Sequence, residues 1–124
     1  MVHLSDGEWK IMKLLWQQAP QTITQLTADL QAEMGWGKHT VITMLNRMEK
    51  KGAVKFEEGV RAKQYFPKVG KDEVTAVETR GFLDKVYEGS LSLMVNAMVN
   101  QRQVSKEELV ELYEILKRAE EREL

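Results

Sequence analysis

Three observations predict a mostly α chain with one small β element, an α+β arrangement. Apolar residues recur at helical spacing over most of the 124 residues. One stretch, from Val54 to Phe66, alternates with a period of two. Charge is divided along the chain: residues 1–71 hold eleven Lys and Arg against seven Asp and Glu, and residues 72–124 hold seven against twelve. Within 36–71 the ratio is nine to three, the pattern of a polyanion-binding half joined to an acidic half.

Taken in order, Ser5-Asp6-Gly7-Glu8 has the spacing of a capping box and opens a first helix. Trp9, Met12 and Trp16, flanked by Ile11 and Leu15, form its apolar stripe, and Pro20 closes it. A second helix is expected from Thr24 to near Gly35, with Leu26 and Leu30 inward. A third runs from Lys38 to Lys51, where Val41, Met44, Leu45 and Met48 fall at i, i+3, i+4 and i+7. Gly52 stands where a left-handed residue ends a helix. Val54 and Phe56, a turn at Glu57-Glu58-Gly59 and the alternation from Val60 to Phe66 then make a hairpin. Its expected faces are Val60, Ala62, Gln64 and Phe66 on one side, and Arg61, Lys63 and Tyr65 on the other. Three helices and a hairpin in so short a span predict an N-terminal winged helix-turn-helix over residues 1–70.

The third helix carries the strongest functional signal. At about 100° per residue, His39, Thr43, Asn46 and Lys50 lie opposite its apolar back, with Arg47 beside them. A helix that enters the major groove needs an apolar back and an outward row of hydrogen-bonding and cationic side chains. Thr43 and Asn46 suit base edges, while Lys38, His39, Arg47 and Lys50 suit phosphates or guanine. Arg61 and Lys63 on the hairpin are placed to touch the backbone or minor groove beside it. The competing reading is a winged-helix protein–protein interaction module without operator binding. It would expose apolar anchors on this face rather than Thr, Asn and cations.

After a connector at Pro67–Lys71, residues 71–124 read as a three-helix dimerisation domain. Asp72 opens a helix through about Glu88 that carries Phe82, Leu83, Val86 and Tyr87. Gly89 breaks it and Ser90 caps the next, with Leu91, Met94, Val95 and Met98. A second capping box at Ser105–Glu108 opens the last, with Leu109, Leu112, Tyr113 and Leu116 inward. A piece this small buries too little surface to stand alone, so a second copy is expected to complete its core.

No catalytic constellation is present. The two histidines, His3 and His39, lie far apart; no phosphate loop, nucleophile elbow or HExxH occurs, and acid pairs such as Glu107-Glu108 fall on exposed helical positions. The absence of cysteine removes disulfides, thiolate metal sites and thiol catalysis, so neither an enzyme, a metal site nor a cofactor is expected. Met44, Met48, Met94 and Met98 fall at core-phase positions and need no cofactor. No run approaches the ~18–20 apolar residues of a membrane span, and no signal peptide opens the chain; a cytoplasmic protein is expected.

These residues resemble the penicillinase repressor family along nearly the whole chain. The likeness lies in Ser5-Asp6 with Glu8, in Ile11-Met12-Lys13-Leu14-Leu15-Trp16, and in Trp36 to Val54, above all Lys38 to Met48 and Lys50-Lys51-Gly52-Ala53. It continues through Tyr65 to Pro67, Phe82-Leu83, Tyr87, Gly89, Leu91, Met94-Val95, Ser105, Glu107-Glu108 and Leu112-Tyr113. The resemblance implies a homodimeric repressor of palindromic operators, controlling β-lactamase, methicillin-resistance or copper-transport genes. Thr40, Thr43 and Arg47 match the family's DNA-reading threonines and arginine. It also implies an inducing sensor protease as partner, which cleaves antibiotic-responsive members after an asparagine followed by phenylalanine. The matching positions here are Ala97-Met98, with Asn96 one residue early. Gly37-Lys38-His39-Thr40 replaces the frequent Ser/Thr-Pro-Lys-Thr run, and the cysteines of copper-responsive members are missing.

Overall fold

A computed structural model describes residues 2–122; the outer ends of the two expected domains, at 1 and 124, lie outside the described residues. The chain divides into two compact units, the first ending at Glu78 and the second beginning at Thr79.

In the first unit, α1 (Asp6–Gln17) begins at the expected capping box: Ser5 Oγ accepts from the Glu8 N–H at 3.2 Å, and Glu8 accepts from the Ser5 N–H at 2.8 Å. The second helix, α2 (Ile23–Met34), starts earlier than the Thr24 expected from its apolar pattern. Thr22 and Gln25 form a second reciprocal capping box, which fixes the start independently of which face is apolar. The third, α3 (Lys38–Lys50), ends in a Schellman motif. Gly52 at φ +83° lets its N–H reach the Glu49 carbonyl, and the Ala53 N–H reaches Met48 at 2.8 Å.

Strands β1 (Val54–Glu58) and β2 (Lys63–Pro67) form the antiparallel hairpin, with Phe56 opposite Tyr65 and Glu58 opposite Lys63. Its extent corrects the sequence expectation: Val60, Arg61 and Ala62 lie in the turn, while Lys63 and Tyr65 share one face and Gln64 and Phe66 the other. Tyr65 is the buried residue of β2, tilted against Phe56 at 5.8 Å, whereas Val60 at the tip is fully exposed. The loop from Gly59 to Ala62 has an even number of residues, so even positions of β1 face odd positions of β2. Alternation read straight through the tip therefore assigns the wrong side. A further pairing is invisible locally: the Gln21 N–H donates to the Tyr65 carbonyl at 3.1 Å, and the Tyr65 N–H donates back at 2.9 Å.

The core of this unit is continuous. Ile11, Met12 and Leu15 of α1, Leu26 and Leu30 of α2, and Val41, Leu45 and Met48 of α3 are all but inaccessible. Ala53, Val54, Tyr65 and, from the next helix, Val74 close it. The tryptophans are half-buried at junctions: Trp9 packs edge-on against Trp16, whose Nε1 donates to the Val69 carbonyl at 2.9 Å.

The helix α4 (Lys71–Tyr87) gives its first turns to the first unit and the rest to the second. In the second unit, Ser90 caps α5 (Leu91–Asn100) and Ser105 caps α6 (Lys106–Glu121). The second cap is half a box: the Glu108 N–H donates to Ser105 Oγ, but the Glu108 carboxylate takes the Ser105 hydroxyl instead of a backbone N–H. Neither α5 nor α6 has a buried residue. Leu91, Met94, Val95 and Met98 of α5, with Leu112 and Ile115 of α6, line an apolar groove of about 270 Å³. Among the described residues no helix is long and apolar enough to cross a membrane.

Candidate nucleic-acid interface

The apolar back of α3 is pinned by Val41, Leu45 and Met48, which leaves its other side to solvent. Lys38, His39, Thr40, Thr43, Asn46, Arg47 and Lys50 are all exposed there. His39, Thr40, Thr43 and Arg47, with the half-buried Met44 as a wall, line one open concavity of about 380 Å³. Lys38, Asn46 and Lys50 lie outside that lining. The one acid of α3, Glu49, is exposed on the flank. Gly37 begins the helix without a side-chain cap, unlike Ser5, Thr22, Ser90 and Ser105 at the other helices they open.

On the hairpin, Arg61 lies in the turn, and Lys63 opens β2 with its Nζ 4.2 Å from the centroid of the Phe56 ring. Lys63 therefore shares the face of Phe56 and Tyr65, near the tip, and its ammonium is partly engaged with an aromatic ring. Lys55 and Phe66 pair on the other face, 5.6 Å apart. Ion pairs among the described residues are His3–Glu78, Lys10–Glu33, Lys51–Glu8 and Arg80–Asp84. Lys38, Arg47, Lys50, Arg61 and Lys63 take part in none of them.

Lys51 is the basic residue that departs from this group, and sequence reasoning missed its role. Its Nζ turns back to Glu8 Oε1 at 2.7 Å and to the His3 carbonyl at 2.9 Å, tying the end of α3 to the start of α1. Glu8 is buried at the centre of this tie. Burial alone raises its carboxyl pKa, but the Lys51 hydrogen bond, the Ser5 N–H and the Lys51 charge together outweigh it and hold the pKa below the ordinary value. Burial, with the Glu49 and Glu58 charges, pushes the Tyr65 hydroxyl up, so it stays neutral at physiological pH. The signal for Glu8 was present in the capping box, where a carboxylate bridging two elements can hide behind a local role.

The arrangement offers hydrogen-bonding and cationic side chains on the exposed face of a helix whose back is held in the core. Among the described residues no cluster of His, Asp and Glu could hold a metal ion.

Comparison with known proteins agrees with this geometry. The penicillinase repressor of Bacillus licheniformis is 33% identical over 113 residues, covering 91% of this chain and 88% of that protein. The methicillin resistance regulatory protein MecI of Staphylococcus aureus (strain N315) is 26% identical, covering 91% and 92%. Among solved structures, the DNA-binding domain of the repressor BlaI matches with a TM-score of 0.53 at 28% identity, over 57% of this chain and 87% of that one. The Bacillus licheniformis BlaI monomer in complex with the blaP half-operator matches at 0.52 and 28%, over 58% and 88%. The penicillinase repressor family itself matches residues 4–118. An exposed polar helix face on a winged-helix scaffold, and likeness along almost the full length, place this chain in the penicillinase repressor family of DNA-binding regulators, which are not enzymes.

Proposed function

We propose that the protein is a homodimeric transcriptional repressor that reads a palindromic operator with α3, the hairpin lying alongside as a wing. The observation that carries this is the outer face of α3, where threonine, asparagine, histidine and unpaired cations stand on a helix whose opposite side is locked in the core. Thr43, Asn46 and Arg47 then address base edges, with Thr40 beside them, and Lys38, His39 and Lys50 meet phosphates. Arg61 and Lys63 contact the backbone or minor groove next to the docked helix. The half-operator bound by the similarly folded BlaI supports this docking.

The second unit supplies the pairing surface. Phe82, Val86, Leu91, Tyr113 and Leu116 are exposed, Tyr113 by 75%, and Tyr87, Met94, Val95, Met98, Leu109 and Leu112 are half-buried beside them. Only Leu83 of the expected pairing set is buried within the single chain. Removing that much apolar area from water favours association with a second copy. The regulated genes in this reading are a β-lactam-resistance or related stress operon in the cytoplasm, with a sensor protease as the inducing partner.

A salt-titrated gel shift on a palindrome from the protein's own promoter tests the reading. Specific binding that weakens steeply with salt is expected; binding indifferent to both sequence and salt would overturn it.

A further inference from the structure

The first turn of α1 lies against two side chains, Trp36 before α3 and Met44 within it, closely enough that a side chain there would have to push them aside. A Cβ on Gly7 would stand 2.5 Å from Met44 Cε, 3.0 Å from Trp36 Cη2 and 3.4 Å from Trp36 Cζ2. Gly7 lies within α1 and has no positive φ, so its backbone does not call for glycine. Glycine is also the poorest helix former after proline. Space alone accounts for it.

The two side chains that fill this space belong to the reading helix and its entry. Trp36 immediately precedes Gly37, the uncapped start of α3. Met44 is the wall of the concavity that His39, Thr40, Thr43 and Arg47 share. Met44 Cε is the free end of a flexible side chain, but it can turn aside only within the space that the stiffer Trp36 ring, 3.0 Å from the same point, leaves it. We infer that Gly7 is a specificity-determining positioning residue: its missing side chain lets Trp36 and Met44 seat against α1, and that seat sets the angle at which α3 presents Thr40, Thr43 and Arg47. The inference rests on the DNA-reading role proposed above.

Base edges are read only within hydrogen-bond reach, whereas contacts to phosphates give affinity without sequence information. Displacing α3 therefore costs sequence preference first. The probe is the duplex that the wild-type full chain enriches from a randomised library, with a scrambled duplex of equal length as reference. In Gly7→Ala, affinity for the enriched duplex should fall about tenfold or more, while affinity for the scrambled duplex changes less than about twofold. Met44→Leu removes the Cε that obstructs the new methyl. Combined with Gly7→Ala, it should restore the preference to within about threefold of Met44→Leu alone. A lower thermal midpoint with an unchanged preference would mean a purely structural role and overturn the inference. So would a folded double variant no better than Gly7→Ala. Should Gly7→Ala fail to fold, Trp36→Phe decides, because it removes the distal ring that faces Gly7 and adds no bulk; an unchanged preference overturns the inference, and a lowered one supports it. A wild-type protein that enriches no duplex brings down the DNA-reading proposal, and this one with it.

Discussion

Glu8 is charged, buried and paired with Lys51 at the joint between α1 and α3. Its pKa is lowered on folding, so the stability it contributes is complete above the unfolded carboxylate value of about 4.3 and is lost as pH falls through the lower, folded value. Glu8→Gln should therefore cost about 1–2 kcal/mol at neutral pH, at the low end because Lys51 can turn to water. The difference from wild type should shrink in acid; urea unfolding at pH 7 and pH 3 measures both. At the interface, Arg47→Ala should weaken operator binding by about 1–3 kcal/mol and leave the sedimentation coefficient unchanged. Normal operator affinity in that variant would exclude Arg47 from the reading set. The exposed row of α3 was legible in the sequence because Val41, Leu45 and Met48 fix the helical phase within the segment itself. The diversion of Lys51 was not, because its partner lies 43 residues away and Lys50 and Lys51 look alike in sequence.

Helix ends account for most of what local sequence specifies here. Ser5, Ser90, Ser105 and Gly52 were readable because a cap satisfies backbone groups within four residues. Arg102 marks the opposite case. It follows α5 at φ +57°, in the place a glycine usually takes, with its N–H on the Val99 carbonyl and the Gln103 N–H on Met98. Arg102→Gly should relieve about 1 kcal/mol of left-handed strain and raise the thermal midpoint; a lowered midpoint would show that the arginine side chain contributes more than its backbone costs. The hairpin shows where period-two reasoning fails. Val60, Arg61 and Ala62 alternate in polarity without belonging to a strand, so turn length decided the parity and placed Tyr65 inside.

The second unit leaves many of its apolar side chains uncovered within one chain, so if a second copy covers them, as proposed, its stability should rise with concentration. Leu112→Asp places a charge in the groove that α5 and α6 form. It should shift the protein to monomer at low micromolar concentration, because an unpaired carboxylate in an apolar seam costs several kcal/mol; sedimentation velocity reads the outcome, and an intact dimer would remove this groove from the pairing surface. In the first unit, Tyr65 pairs with Gln21 and packs into the core that backs α3. Helix α3 is complete in sequence at Lys50, yet the residues it leans on continue to Val74. A chain leaving the ribosome therefore cannot hold α3 against a finished core until the hairpin and the first turn of α4 have also emerged.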